Sequence, residues 1–372
     1  MENTMKVADY TSPHQATLNL RVSYNSAIDL LAALWILGDR RSGCALEDLA
    51  LGDDWFDDFE AALSEETTQA LDEIGSGDTW IALMPLLPET SSGGSAVDFI
   101  DLLSDMDPAD LRYRLIQVHD KFAPDHRELI ADAAEGDHEA IEALLATPVL
   151  SGPDLKRWTD TLRFLLTMEP DATRQLLVDV LRRSNEEAFA AHEETFRSYL
   201  EADYRSKRAM ARRISAERLL EVATSGINFT DDRSYKPFVL MPTMVARPWV
   251  VFASGPDFFV LGYPVADEIL DADGDAPPQW LVKLHKALGD ERRLRILRTL
   301  ADGDASLAEL ADTVDIAKST LHHHLMLLRS AGLVRVHVGD DKRYSLREET
   351  LGDAATTLDH YIHATPEERG GE

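Results

Sequence analysis

Cysteine is nearly absent from this 372-residue sequence, because Cys44 is the only one. A single thiol excludes an internal disulfide framework and any metal site built from several thiolates. Long apolar runs are also lacking, and none approaches the roughly 20 residues that a membrane-spanning helix needs. The first 15 residues are polar and lack the basic start and apolar block of a signal peptide. These absences lead us to expect a cytoplasmic protein with no membrane partner.

Positive charge is scarce as well, with 37 Lys and Arg against 67 Asp and Glu and a net charge of −30. Such a balance argues against nucleic acid, since DNA affinity depends on neutralising phosphates. The acidity is uneven, however. Residues 281–350 carry a net +1 and residues 351–372 a net −4, which leaves −27 for residues 1–280. Only the C-terminal part therefore has the charge of a DNA-binding module.

Enzyme signatures are missing from the long acidic part. It has no Gly-rich phosphate loop, no G-x-S-x-G and no metal-binding H-E-x-x-H. We therefore expect no enzyme, no catalytic residues and no cofactor.

What is present favours a mainly α protein with small β elements and more than one domain. We expect a disordered lead-in at 1–15, an acidic and mostly helical domain at 16–270, and a linker at 271–279. A C-terminal domain at 280–363 and a disordered tail at 364–372 follow. The helical stretches are predicted near 26–37, 55–74, 108–120, 137–145, 154–168, 172–181 and 185–224. "TLNLRV" at 17–22 is a strand candidate, and the β-rich segment 227–265 contains a hairpin around "SGPD".

Residues 280–347 give the clearest pattern. Asp290 is placed to cap a helix with an apolar face of Leu294, Ile296, Leu297 and Leu300. Ser306 and Glu309 have capping-box spacing at the start of the next short helix. A second helix is predicted from Lys318 to Ser330, and "LVRVHV" and "RYSLR" flank the turn "GDDK". A helix-turn-helix followed by a hairpin is a winged helix.

The segment "ALGDERRLRILRTLADGDASLAELADTVDIAKSTLHHHLMLLRSAGLVRVHVGDDKRYSLRE" resembles the winged-helix domain of the ArsR/SmtB family of prokaryotic transcription regulators. The opening "ALGDERRLRIL", the "STLHHHLMLLRSAGLV" helix and the "RYSL" strand match in order and spacing. Residues 226–265 are similar to the N-terminal extension of some long members. The resemblance implies a homodimeric winged helix that binds operator DNA, usually as a repressor.

Within the second helix, Leu321, Leu325 and Leu328 share the core-facing side, and His324 lies beside them. The expected contacts with double-stranded DNA are Lys318, Ser319, Thr320, His322 and His323 of this helix, with Lys342 and Arg343 of the wing. The alternatives are that Ser319 and Thr320 only cap the helix, and that the histidines and wing cations are solvated. Two or three of Arg292, Arg293, Arg295 and Arg298 are expected to pair with acids on neighbouring helices.

We expect no metal. Consecutive helical residues point about 100° apart, so His322, His323 and His324 cannot converge on one tetrahedral ion. The short helix "SLAELADTV" precedes the recognition helix, which is the helix predicted from Lys318 to Ser330. It lacks the Cys pair of the family's thiolate sensors. The last helix offers Asp353, Asp359, His360 and His363 without the earlier Asp-x-His element. Another His-Asp group, His119, Asp120, Asp125, His126, Asp137 and His138, is expected by chance in so acidic a chain.

Two functions remain open. The first is a DNA-binding transcription regulator whose acidic N-terminal domain senses an unknown small-molecule effector, mediates assembly, or does both. That acidic domain should then point away from DNA. The second is an enzyme or protein-interaction module whose winged helix docks protein.

Overall fold

The structure is a computed structural model, which describes residues 18–42, 48–117, 126–150, 155–229, 236–255, 257–270, 277–338 and 341–363. The lead-in at 1–15, the tail at 364–372 and most of the linker at 271–279 lie outside these described residues. In the described ranges, no helix is both long enough and apolar enough to span a bilayer.

The N-terminal region is mainly helical. Its helices are α1 (Ala27–Arg41), α2 (Gly52–Ala62), α3 (Glu65–Ile74), α4 (Asp78–Leu83), α5 (Ala96–Asp105), α6 (Pro108–Ile116), α7 (Arg127–Glu135), α8 (His138–Leu145), α9 (Lys156–Thr167), α10 (Pro170–Ser184), α11 (Ala190–Met210), α12 (Ala216–Ala223) and α13 (Asp267–Leu270). The predicted helical stretches correspond to helices here, but α4, α5, α7 and α13 lie outside them. Helix α5 begins with a capping box, Ser95 with Asp98, directly after Gly93 and Gly94.

A four-stranded sheet packs against these helices, with strand order β1-β3-β5-β4. The strands are β1 (Leu20–Val22), β3 (Phe238–Thr243), β4 (Val251–Ser254) and β5 (Phe259–Pro264). Strands β1, β3 and β5 are parallel, and β4 returns antiparallel to β5, which confirms the hairpin around "SGPD". Strand β3 is buried along its whole length, as expected for a central strand.

A buried carboxylate ties this sheet to the first helix. Oδ1 of Asp29 accepts hydrogen bonds from the hydroxyl of Thr243 (2.5 Å) and from the backbone N–H groups of Met244 (2.8 Å) and Val245 (3.0 Å). Asp29 is fully buried, and that burial raises the pKa of its carboxyl to about 6. The interaction fixes the turn that leads from β3 towards Trp249.

The C-terminal part is a winged helix, as predicted. It contains α14 (Gln279–Leu288), α15 (Glu291–Ala301), β6 (Ala305–Ser306), α16 (Leu307–Val314), α17 (Lys318–Ser330), β7 (Val334–Val338), β8 (Arg343–Leu346) and α18 (Glu348–His363). Asp290 caps α15 and Ser306 with Glu309 forms the capping box, both as expected. One predicted core residue is wrong, because Leu294 is 49% exposed while Ile296, Leu297 and Leu300 are buried.

A second four-stranded sheet joins the two parts of the chain, in the order β2-β7-β8-β6. Strand β2 (Ile227–Phe229) comes from the N-terminal region, yet it pairs in parallel with residues 336–338 of β7. The predicted β-rich segment 227–265 is therefore not one unit. Its first strand extends the wing sheet, and its other strands belong to the N-terminal sheet.

Candidate DNA-binding surface

Helices α16 and α17 form the helix-turn-helix. Asp315 ends α16 in the left-handed conformation, at φ +56°, which lets the chain reverse within three residues before α17 begins. Leu321, Leu325 and Leu328 of α17 are at most 1% exposed, so the predicted inner face is confirmed. These leucines fix which residues of α17 point outward.

His324 lies on the inner side of α17, also as predicted, at 7% exposure. Neither ring nitrogen has a hydrogen-bond partner among the described residues. Burial lowers the pKa of His324, against a smaller opposing effect of Asp290. The imidazole therefore packs in its neutral form.

His322 keeps an exposed edge but lies against the N-terminal region. Its ring is nearly parallel to the indole of Trp249, with centroids 6.2 Å apart and planes 16° apart. Loss of water around the ring lowers the pKa of His322, and the positive charges of Lys342 and Arg329 add to that effect. The position predicted to face DNA is thus partly covered by a residue from the β3–β4 connection.

His323 also contacts the N-terminal region. Its Nε2 lies 3.1 Å from Oδ2 of Asp48, whose side chain is about half exposed. An acidic residue therefore sits on the recognition helix itself. This differs from the expectation that the acidic region would point away from the DNA-binding side.

The first turn of α17 remains more open. Lys318 is exposed and Thr320 is half-buried. Ser319 occupies the helical position between them. The predicted residues of α17 thus lie in its N-terminal half.

The wing residues lie at the start of β8. The Nζ of Lys342 is 5.7 Å from the centroid of the Tyr344 ring, and Lys342 lines a small cavity of about 130 Å³ with His322 and Trp249. Arg343 turns back towards the domain and donates to the carbonyl oxygen of Asp304 at 2.5 Å. Lys342 is therefore adjacent to the recognition helix, whereas Arg343 is held at the edge of the sheet.

Known proteins share this C-terminal arrangement. Residues 288–337 match the family model described as a helix-turn-helix domain. The HTH-type transcriptional regulator YceK of Bacillus subtilis, itself uncharacterised, is 39% identical over 72 residues, which are 18% of this chain and 72% of that protein. The transcriptional repressor SdpR of the same organism is 32% identical over 79 residues, which are 21% of this chain and 88% of that one. The chain belongs to the ArsR/SmtB family of transcription regulators.

One solved structure is similar over the same region. It is a homodimeric winged helix-turn-helix DNA-binding domain from Mycobacterium bovis, described as a possible ArsR-family transcriptional regulator. It is 25% identical and covers 24% of this chain and 86% of that one, with a TM-score of 0.20. Residues 1–287 of this ArsR/SmtB protein lie outside the helix-turn-helix model.

The recognition helix of this ArsR/SmtB protein has a second attachment that the sequence did not predict. Arg329 is only 5% exposed, and its guanidinium donates to the backbone carbonyl oxygens of Thr224 and Pro248. Thr224 ends α12, where a cation is favoured by the partial negative charge of the helix terminus. Burial lowers the pKa of Arg329 to about 10. Nothing in the sequence marked this arginine, since its partners are backbone atoms more than 80 residues away.

Two of the four arginines of α15 behave differently from the prediction. Arg293 donates to the carbonyl oxygens of Ala287 and Lys286, at 2.8 and 2.7 Å. Arg295 pairs with Glu291 of its own helix at 2.5 Å. Pairing with acids on neighbouring helices is therefore wrong for both.

The two groups of residues considered as metal ligands in the sequence lie only partly within the described residues. The last helix places Nδ1 of His363 3.2 Å from Asp359, on exposed side chains. In the part of the chain that the structure describes, no three His, Cys, Asp or Glu residues are grouped so as to hold an ion. His119, Asp120 and Asp125 of the other candidate group lie outside it.

Proposed function

We propose that this chain is a dimeric, cytoplasmic repressor that binds an operator through α17 and the wing, and whose N-terminal region controls access to that surface. The membership in the ArsR/SmtB family makes it a DNA-binding transcription regulator. The repressor assignment rests on the similarity to SdpR, a transcriptional repressor. The observation that carries the control is that His322 and His323 contact Trp249 and Asp48.

The DNA contacts fall into two groups. Lys318, Ser319, Thr320, His322 and His323 lie at the N-terminal end of α17, the part of a recognition helix that enters the major groove. Lys342 and Arg343 lie on the wing, where cations contact phosphates and set the register of the protein. The near-neutral charge of residues 281–350 fits a DNA-binding surface, in contrast with the acidic remainder.

Two observations support a dimer: one winged helix offers few contacts to DNA, and its last helix exposes apolar side chains. A single winged helix has too few contacts for tight specific binding, whereas a two-fold pair reads a palindromic operator. Helix α18 packs beside α14 and exposes Leu351 (38%) and Ile362 (57%). We assign the dimer contact to α18. A Leu351→Glu, Ile362→Glu double substitution should give a monomer in analytical ultracentrifugation.

The control of DNA binding is the part of the proposal that involves the N-terminal region. A DNA duplex on α17 would occupy the positions that Trp249 and Asp48 hold in this structure. Asp48 would also lie close to phosphates, which repel it. Operator binding therefore requires that the N-terminal region leave His322 and His323, and an effector acting on that region would set how often it does.

The test is DNA binding by the purified full chain. Fluorescence anisotropy with a duplex from upstream of its own gene should show at least about a thousandfold preference over random duplex of the same length. Replacing Lys342 and Arg343 by Ala should weaken binding to all sequences and lower the slope of log K against log salt by about 1 to 2. An Arg295→Ala, Arg298→Ala variant removes the same charge from the outer face of α15 and serves as the control.

Equal affinity for specific and random DNA at moderate salt would contradict the proposal. That result would favour the second function, in which the winged helix docks protein. The specific observation behind this alternative is that α17 and β7 already contact protein, namely the N-terminal region of the same chain.

A further inference from the structure

A large cavity lies between the N-terminal region and the winged helix. Its volume is about 500 Å³, within the range of sites that hold small organic ligands. One wall is formed by α11, α12 and the β5–α13 segment, including Lys207 and Val265. The other wall is formed by α14, by the turn after α17 and by Arg347, which precedes α18. A molecule bound there would contact both parts of the chain.

Arg347 is the unusual side chain of this cavity. Its Nε is buried and has no hydrogen-bond partner among the described residues, and its guanidinium forms no ion pair with any of them. Burial and the neighbouring Arg335 lower the pKa of Arg347, while Glu221 and Glu349 act in the opposite direction. A half-buried guanidinium with unsatisfied donors is suited to a carboxylate or another oxyanion.

Two acids of the cavity lining are already engaged by other cations. Glu221 accepts from Arg335 at 2.5 Å and from Arg218 at 2.7 Å. Its negative charge is therefore shared between two arginines, and neither hydrogen bond involves Arg347.

A second acid on the same wall as Glu221 shows the same pattern. Asp267 pairs with Arg247 and also accepts from the ammonium of Lys283 at 2.6 Å. The buried Asp203 neutralises Lys207 at 3.0 Å. Glu221 and Asp267 are therefore both engaged by cations other than Arg347, and the third acid of the lining, Glu268, is exposed to solvent.

The rest of the lining is suited to an apolar body. Trp280 of α14 stands at the cavity and is 37% exposed, although a tryptophan normally covers more of its surface. Met210, Val265 and Ile269 add aliphatic surface. An aromatic or aliphatic group could pack on these residues while its anionic end meets Arg347.

We propose that this cavity binds a small organic anion, a carboxylate with an aromatic or apolar body, held by Arg347 and Trp280. The proposal rests on the proposed function in one respect, since it names the effector site that the control of DNA access requires. A ligand that contacts both walls links its own binding to the contact between the two parts of the chain.

The experiment is isothermal titration calorimetry on the full chain without DNA. The probes are 1-naphthylacetate and phenylacetate, each compared with its neutral amide. We expect at least one carboxylate to bind with one site per chain, and its amide to bind about tenfold or more weakly. Arg347→Gln should weaken the carboxylate by a similar factor, and Trp280→Ala should also weaken it. Arg127→Gln, an exposed change of the same charge on α7, should leave the affinity unchanged.

The outcomes separate cleanly. No binding of either carboxylate at roughly millimolar concentration overturns the site, and so does equal affinity of Arg347→Gln and the wild type. Thermal denaturation of Arg347→Gln confirms that the variant is folded, and Trp280→Ala provides an independent change if it is not. The calorimetry contains no DNA, so a negative result overturns the ligand site without testing operator binding. The anisotropy experiment tests operator binding separately.

Discussion

The contact of the recognition helix with the N-terminal region can be released by two small changes. Asp48→Asn removes the charge opposite His323, and Trp249→Ala removes the ring opposite His322. Asp48 has a positive φ of 57°, a conformation that Asn adopts as readily as Asp, so the first change leaves the backbone unstrained. Neither residue belongs to the winged helix, so the DNA-contacting side chains stay intact.

The expected size of the effect follows from the two contacts. Stacked ring pairs contribute about 0.5 to 1.5 kcal/mol. A polar contact as exposed as that between His323 and Asp48 contributes at most about 1 kcal/mol, because solvent screens it. Together they favour the closed arrangement by about 1 to 2 kcal/mol. If that arrangement excludes DNA, the double variant should bind its operator roughly 5- to 30-fold more tightly than the wild type.

The assay is operator anisotropy at fixed salt for the wild type, both single variants and the double variant. Asp54→Asn, an exposed change of the same charge on α2, controls for the general loss of negative charge. Affinity that is unchanged or weaker in the double variant would refute the idea that these contacts block DNA. An equal gain in Asp54→Asn would assign the effect to overall charge instead.

Three other predictions concern buried or titrating groups. Arg329→Met removes the donor to the backbone carbonyl of Thr224, so amide hydrogen exchange at residues 227–229 should become more than about tenfold faster. Arg298→Met is the control, and equally slow exchange in both variants would show that Arg329 does not hold the winged helix to the N-terminal region. Asp29 has a pKa of about 6 in the folded protein and a lower pKa in the unfolded chain. As pH rises from about 4 to about 7, the unfolding free energy of the wild type should therefore fall by about 2 to 3 kcal/mol relative to that of Asp29→Asn. Urea denaturation measures both proteins across this range, and parallel pH profiles would contradict the raised pKa. Burial lowers the pKa of His322 and the charges of Lys342 and Arg329 add to that effect, so protonation favours release of His322 from the N-terminal region. In the Asp48→Asn background, operator affinity should therefore rise as pH falls from about 8 to about 6, and adding His322→Gln should flatten that rise.

The winged helix could be predicted from sequence because its signals are local. Asp290 and the Ser306 capping box mark helix starts within a few residues, and the leucines of α17 repeat at helical spacing. The hairpin of β7 and β8 likewise follows from two short runs and a turn. Leu294 shows the limit of such patterns, because periodicity cannot tell whether a neighbouring element covers a given leucine.

The surroundings of the DNA-binding residues could not be predicted in the same way. The contact between His323 and Asp48 joins residues 275 positions apart, and β2 is a three-residue strand whose partner lies more than 100 residues later. No local spacing encodes such pairs. The sequence placed His322 and His323 on the outer face of α17 but could not show that the same chain partly covers that face.

The insertion of β2 into the wing sheet limits how the winged helix can move. The chain crosses into this sheet at residues 227–229, returns to the N-terminal sheet at β3, and reaches α14 only after residue 270. The winged helix is thus joined to the N-terminal region by a strand pair as well as by the chain that leads into α14. While β2 stays paired with β7, the winged helix cannot reorient freely, so any opening at His322 and His323 has to pivot on that strand pair. Full separation would first require the parallel strand pair to part, which would make it a slower and rarer event than a hinge movement.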